Sequence, residues 1–461
     1  MKKVILSFLA SSVVGLVAHS NPVSAAGFAL IEQGVKGLGN AYAGGAASAD
    51  DASTVFFNPA GMTRLSGRQA IAAGHLIVPS TKFSDGGSHM AGTLGGAAMT
   101  GGDGGNAGEA ALVPNLYYVQ EFGNGYRFGL GINAPFGLAT DYDDDWKGRY
   151  QAIRSEIITV NINPSLALKV NDRLSLGGGV NLQYIDAELT SAVDYTVACF
   201  GVPTLGAATC SANGLGVGTL QSTATSGMSK NTADDLSWGY NLGLLYEFDQ
   251  DTRVGLAYRS KISHKLEGTG DFTIPSAVST AGGGVGATLS AVFADSNIIA
   301  RATLPEMISA SIYHQFDPKW AVMGDITHTR WSRLPELRID FENSLKSDGV
   351  EALNWENTWR YSVGVTYFQD ERWTWRGGVA FDETPVPNPE SRTARLPDND
   401  RKWLAVGGSY HRSKDMSVDF GYAHLFISDP QINRTGPLGD VLIGSYENTV
   451  DILSVQLTWN Y

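Results

Sequence analysis

Charge is in short supply. Asp, Glu, Lys and Arg make up 17% of the 461 residues, against about 25% in soluble domains. Basic residues are scarcer still, with 33 Lys and Arg facing 46 Asp and Glu. That balance excludes nucleic acid as a partner, because phosphate binding needs a basic footprint. Cysteine is nearly absent: Cys199 and Cys210 are the whole complement. They lie in a stretch rich in Gly, Ala, Ser and Thr, where an oxidising compartment would close them into a small disulfide loop; the alternative is two unpaired thiols. Beyond residue 25 there is no apolar run of roughly 18 residues, so no membrane helix is expected.

Catalytic and metal-binding motifs are missing as well. There is no Gly-x-Ser-x-Gly, no His-Glu-x-x-His and no Cys-x-x-Cys, which removes the nucleophile elbow and two common metal patterns. Gly37 and Gly39 are followed by Tyr42, not a third glycine, and no Rossmann context surrounds them. His75, His89, His264, His314, His328, His411 and His424 are scattered. The chain is therefore not expected to be an enzyme, and neither a cofactor nor a metal ligand is expected. Asp143-Asp144-Asp145 reads as a solvated loop, with a divalent ion at a lipopolysaccharide surface as the alternative.

The chain does have an export signal at its start. Lys2 and Lys3 precede an apolar stretch from Val4 to Ala18, and Val23-Ser24-Ala25 offers a small-x-small cleavage site. Cleavage after Ala25 leaves 31 basic and 46 acidic residues, a charge of −15. The full chain is rich in glycine (55) and in aromatics (10 Trp, 18 Tyr, 18 Phe). Little charge, much glycine and many aromatics without membrane helices is the composition of a transmembrane β-barrel.

Periodicity points the same way. Leu453, Val455, Leu457, Trp459 and Tyr461 alternate with Ser454, Gln456, Thr458 and Asn460. In a strand the two sets face opposite sides, one fit for lipid and one for a wet lumen. Trp238 to Phe248, Trp359 to Tyr367 and Met416 to Tyr422 repeat the pattern. Tight turn signals sit at Asn124-Gly125, Asn171-Asp172, Asp249-Gln250-Asp251, Asp317-Pro318-Lys319, Asp370-Glu371 and Ser413-Lys414-Asp415. Longer excursions lie between them, near 83–110, 138–150, 190–236, 270–303, 342–357, 382–400 and 429–446. Short turns on one side and long loops on the other predict an all-β, antiparallel barrel of 14 strands over residues 66–461, with both termini in the periplasm. Residues 26–65 do not alternate; they are rich in Gly and Ala, place Asp50-Asp51 at a helix start, and end in Asn58-Pro59-Ala60-Gly61. They are expected to form either a tail or a small helical hatch inside the barrel.

These residues resemble the FadL/TodX family of outer-membrane transporters for hydrophobic compounds. The matching stretches are Ala26-Gly27-Phe28, Gly37-Leu38-Gly39 with Ala41-Tyr42, Ala49-Asp50-Asp51-Ala52, and Asn58-Pro59-Ala60. Further along come Pro135-Phe136-Gly137-Leu138, Leu304-Pro305-Glu306, Phe381-Asp382 with Pro385-Val386-Pro387, and Leu396-Pro397-Asp398 with Asp400-Arg401. The resemblance implies a monomer in the outer membrane of a Gram-negative cell, in contact with lipid and lipopolysaccharide. Its C-terminal aromatic residues would be read by the outer-membrane assembly machinery.

The resemblance also implies uptake of long-chain fatty acids by extracellular capture, an apolar lumen pocket and lateral exit at a kinked third strand. That strand is Tyr126 to Leu138, where Pro135 lacks a ladder N–H and Gly129, Gly131 and Gly137 weaken pairing; a plain strand end is the alternative. Phe28 and Leu30 are expected to line the pocket or to serve ordinary hatch packing. Arg338 is expected to bind the ligand carboxylate, or to pair with Glu336 or Asp340. The family's second basic contact falls in Tyr184 to Glu188, which is acidic here, so neutral hydrocarbons remain an alternative ligand and a general porin a further one. Asn58, Pro59 and Ala60 are expected beside Pro135, Phe136 and Gly137, plugging the wall gap.

Overall fold

A computed structural model describes residues 27–461; the signal segment, its cleavage site and Ala26 lie outside the described residues. Fourteen antiparallel strands form a closed barrel. They are β1 (Arg68–Asp85), β2 (Ala111–Gly123), β3 (Tyr126–Asn133 and Gly137–Asp141), β4 (Arg154–Lys169), β5 (Leu174–Asp194), β6 (Ser226–Glu247) and β7 (Thr252–Arg259 and Ile262–Thr273). The circuit continues with β8 (Ser296–Leu304 and Met307–Asp317), β9 (Trp320–Thr329 and Glu336–Phe341), β10 (Gly349–Ala352 and Thr358–Phe368) and β11 (Trp373–Asp382). It ends with β12 (Arg401–His411), β13 (Met416–Ile427 and Gln431–Thr435) and β14 (Asp440–Asn460). Pairing of β1 with β14, from Gln69↔Asn460 to Asp85↔Gly444, closes the sheet. Closure removes both edges, which lipid requires because it satisfies no free N–H or C=O.

Burial runs opposite to that of a soluble protein. Trp238 is 68% exposed, Val363 63% and Leu166 62%, whereas Asn161, Asn163, Asn181, Asp419 and Gln456 are fully buried. The outward face is therefore apolar and the inward face polar, as the alternation in β14 predicts.

The six short connections are built at the expected residues. Asn171, Asp249, Asp317 and Asp370 each accept, through Oδ1, the backbone N–H groups two and three residues ahead. Such Asx turns reverse the chain with no help from outside. Asn124 and Gly125 both adopt positive φ, 52° and 81°, the geometry of a two-residue hairpin.

The long connections lie at the other rim, and several are shorter than expected. Residues 190–194 and 226–236, read as loop, extend β5 and β6; Gln431–Thr435 and the start of β14 do the same. Above the apolar band the outward face carries Asp186, Glu188, Thr232 and Asp234, so polar residues sit on both faces and the period-two signal vanishes. Two connections carry short helices (Tyr195–Gly201, Gly206–Ala212, Ser276–Ser279, Val285–Val292). They share an apolar cluster containing Val193, Tyr195, Leu215, Val278, Leu289 and Phe293. Cys199 and Cys210 form a disulfide within it, with a Cα–Cα distance of 6.1 Å.

Residues 27–65 contribute no wall strand. They form short helical turns, α1 (Val35–Gly39), α2 (Gly45–Ser48), α3 (Thr54–Phe57) and a 3-10 turn (Pro59–Arg64). Their carbonyls are held by arginines that project inward from the wall: Arg253 bonds Ala47 and Ser48, Arg259 bonds Phe56, and Arg360 bonds Ala41. Buried charge is tolerated here because each guanidinium finds at least one backbone acceptor.

Candidate functional site

β3 does not run straight. Its ladder with β2 extends from Gly123↔Tyr126 to Leu116↔Ile132 and stops there. Above that point β2 continues to Ala111 on its β1 side alone. On the β4 side the register passes from Asn133↔Asn161 to Gly137↔Ile158, which inserts one extra residue into β3. Pro135 sits in this bulge, where a missing N–H costs least.

The freed backbone of β3 finds partners in the first described residues. Leu30 N donates to Pro135 O at 2.8 Å and Gly137 N donates to Phe28 O at 2.9 Å. Ala29 and Phe136 face each other as an antiparallel bridge. Gln33 Nε2 donates to Ala134 O at 2.9 Å, and Thr159 Oγ1 lies 3.0 Å from Phe136 N and 2.6 Å from Phe136 O. The N–H groups of Phe136 and Gly137 and the carbonyls of Ala134, Pro135 and Phe136 are thus bonded, as a site within a membrane wall demands.

Asn58, Pro59 and Ala60 are not there. Asn58 Nδ2 donates to Ala46 O at 2.6 Å and Leu244 O at 3.0 Å, and its Oδ1 caps the 3-10 turn by accepting from Ala60 N at 3.0 Å. The trio sits in a notch made by Gly177 and Gly243, directly opposed on β5 and β6; a side chain at either position would overlap it. The expected contact with residues 135–137 is therefore corrected: residues 28–30 fill the gap, because three extended residues present both backbone edges, which a capped turn does not.

Beside the gap, in the extracellular half, lies an apolar chamber with a cavity volume of about 90 Å³. A water needs roughly 10–15 Å³ on this measure, so the chamber has room for a chain segment. Inward-facing residues of β3 to β10 line it, among them Leu138, Ile157, Ile185, Leu266, Ile298, Leu337, Ile339 and Leu353. Phe28 projects into it and contacts Phe136, Trp331 and Trp355 at centroid distances of 5.9, 5.0 and 5.9 Å, each such pair contributing about 0.5–1.5 kcal/mol beyond burial. Leu30 turns the other way. It lines a neighbouring cavity with Tyr42, Phe57 and Arg360 and packs with Ala111 and Val113 of β2.

Arg338 does not reach the chamber. Leu337 and Ile339 line it, so the side chain between them points outward, where its Nε donates to Glu336 at 2.8 Å and its Nη1 to Asp348 at 3.2 Å. Of the two expected acidic partners the ion pair is with Glu336. The same parity governs β5: Ile185 and Ala187 line the chamber, so the acidic side chains of Asp186 and Glu188 face away from it.

The charged residues at the chamber are ones the sequence reading missed, Glu351 and Arg395. Arg395 adjoins Leu396-Pro397-Asp398, and an isolated Glu351 two residues before Leu353 and four before Trp355 was the signal that could have found its partner. Burial lowers the Arg395 pKa while Glu351 raises it. Above the chamber an outer vestibule of about 400 Å³ opens toward the long connections, lined by Phe272, Phe293, Phe341 and Lys346. No group of three or more His, Cys, Asp or Glu is arranged to hold a metal among the described residues.

Residues 16–461 match the family described as outer membrane protein transport protein (OMPP1/FadL/TodX). The chain is 30% identical to a long-chain fatty acid transport protein of Escherichia coli O6:H1 over 424 residues, 89% of each chain. It is 32% identical to outer membrane protein P1 of Haemophilus influenzae, covering 95% of this chain and 94% of the relative. Among solved structures, a Pseudomonas aeruginosa FadL homologue superposes with a TM-score of 0.84 at 27% identity, covering 94% of this chain and 100% of that one. The Pseudomonas putida toluene transporter TodX shares the fold with a TM-score of 0.63 at 19% identity, over 89% of this chain and 94% of that one. The closed barrel thus has its likeness in known transport barrels, and this chain, an outer-membrane protein and not an enzyme, belongs to the OMPP1/FadL/TodX transport family.

Proposed function

We propose that the protein takes long-chain fatty acids from outside the cell into the outer membrane. The ligand enters the vestibule, lies in the apolar chamber, and leaves sideways between β2 and β3 into the bilayer. The observation that carries this reading is the ladder that stops at Leu116↔Ile132 while residues 28–30 complete the edge of β3. A three-residue pairing can be withdrawn far more cheaply than a wall strand. Leaving sideways also spares the chain exposure to water, which costs about 0.8 kcal/mol per CH₂. In this reading residues 27–65 act as a hatch filling the lumen of a monomeric barrel. Fatty acids are favoured because Arg395 offers a cation at the chamber and the acids of β5 face away. The otherwise apolar lining also suits neutral hydrocarbons, which would follow the same route.

A crosslink tests the exit. Residues opposed in an antiparallel pair stand about 4.5–5.5 Å apart at Cα, within disulfide reach. Ala29→Cys with Phe136→Cys, in a background lacking Cys199 and Cys210, should stop oleate uptake until reduced. A complete crosslink with unchanged uptake would show that ligand leaves by another path.

A further inference from the structure

The apolar chamber and the outer vestibule meet at one ring, since both are lined by Leu189, Asn231, Leu337, Ile339, Glu351 and Arg395. Two members of this ring are charged. Arg395 is fixed by its Nη1, which donates to Ser155 Oγ at 3.0 Å and Thr190 O at 3.2 Å. Its Nε donates to Glu351 Oε2 at 3.3 Å. Among the described residues Nη2 makes no hydrogen bond. A carboxylate ordinarily takes two parallel N–H groups of a guanidinium at about 2.7–2.9 Å. Glu351 takes one, and at a longer distance.

Glu351 also has somewhere else to go. Its Oε1 lies 3.8 Å from Arg434 Nη2, and Arg434 lines the vestibule but not the chamber. Glu351 is thus a single-point partner between two cations, on a strand whose next inward residues, Leu353 and Trp355, are apolar chamber lining. A lone charge on such a wall is costly unless it is paired.

We propose that Glu351 is an internal stand-in for the ligand's head group: it occupies Arg395 until the carboxylate of a long-chain monoacid replaces it and it moves to Arg434. The inference rests on the uptake reading above and narrows its ligand to an anionic amphiphile. The exchange breaks no covalent bond and conserves charge, because one carboxylate leaves Arg395 as another arrives. Arg395 is never left buried and unpaired, which would cost far more than the exchange itself. A neutral chain of equal length can enter the chamber but gains nothing at the ring.

The test compares oleate with oleyl alcohol on the full, detergent-solubilised barrel, with folding checked by heat-modifiability. Glu351→Gln keeps the shape of the side chain and removes the competitor, so oleate should bind about tenfold tighter, the factor expected for one charged hydrogen bond, while oleyl alcohol is unchanged. Arg395→Gln should weaken oleate about tenfold and abolish the gain when combined with Glu351→Gln. Arg434→Gln, which removes the alternative partner, should weaken oleate alone. Weaker oleate binding by Glu351→Gln, or equal shifts for both ligands, would overturn the exchange and leave the uptake reading standing. Failure of wild-type protein to bind either ligand would overturn both.

Discussion

A single strand position separates an arginine that can meet a ligand from one that cannot. Arg338 lies between two chamber-lining residues, and its outward pairing with Glu336 and Asp348 holds it away from the chamber. Arg338→Ala should leave oleate affinity at the wild-type value in a fluorescence titration; a loss as large as that of Arg395→Gln would place a carboxylate contact at residue 338. The sequence showed a basic residue in this stretch, but its facing was not legible. The 3-10 turn Trp331–Arg333 and Pro335 interrupt β9, so alternation cannot be carried across them. Lys346 faces ligand space as well, in the vestibule that Arg395 and Arg434 also line. Its Nζ lies 4.7, 4.2 and 4.9 Å from the ring centroids of Phe272, Phe293 and Phe341, and burial there pushes its pKa down to about 8. It is charged below that pH and neutral above it, with the ring faces favouring the cation. Binding of dodecyl sulfate, whose own charge is constant, should therefore weaken as pH rises through about 8, and Lys346→Met should remove that step. A pH step that survives the substitution would assign it to another group.

Between elements, the joint is made by missing side chains. Three opposed glycine pairs, Gly177↔Gly243, Gly364↔Gly378 and Gly407↔Gly421, form notches in the inner wall. They receive Asn58 to Ala60, Asn40 with Ala41, and Leu38 with Gly39 respectively. Backbone touches backbone at these points, so a wall residue with a side chain must push the segment away. Gly243→Val should cost about 1–3 kcal/mol as an overpacked contact. It should leave the barrel folded but make residues 58–60 accessible to protease; full protection would show that the notch is not required. The excess of glycine was visible in composition, but which glycines oppose one another depends on register, and register across strands is a long-range property. The kink of β3 was legible from Pro135 and Gly137. Its partner was not, because Phe28-Ala29-Leu30 is too short to carry a strand pattern.

Over the whole molecule, the features fixed by local chemistry were legible: strand count, turn positions and the side of the wall that meets lipid. Those set by distant contacts were not, including the seat of Asn58 to Ala60, the chamber's charged ring, and the strands that rise beyond the apolar band. Size explains why an inner segment is needed at all. Eight-stranded barrels can fill their interiors with wall side chains, whereas barrels of 16–18 strands leave an aqueous channel. Fourteen strands fall nearer the second case, yet the wall here sends in glycines where the segment touches it and arginines that end on its carbonyls. Neither residue type fills the lumen by itself. Removing residues 27–65 should therefore leave a water-filled passage lined by the buried asparagines of β3 to β6 and by arginines that have lost the segment's carbonyls. Single-channel conductance in a planar bilayer should rise from near closed to that of an open pore, and liposomes carrying the truncated barrel should swell in small sugars. The truncated protein should still show a heat-modifiable band, because the ladder from β1 to β14 involves no residue before 68. Conductance unchanged by the deletion in a folded barrel would mean that the long extracellular connections, with their disulfide-tied cluster, close the passage on their own.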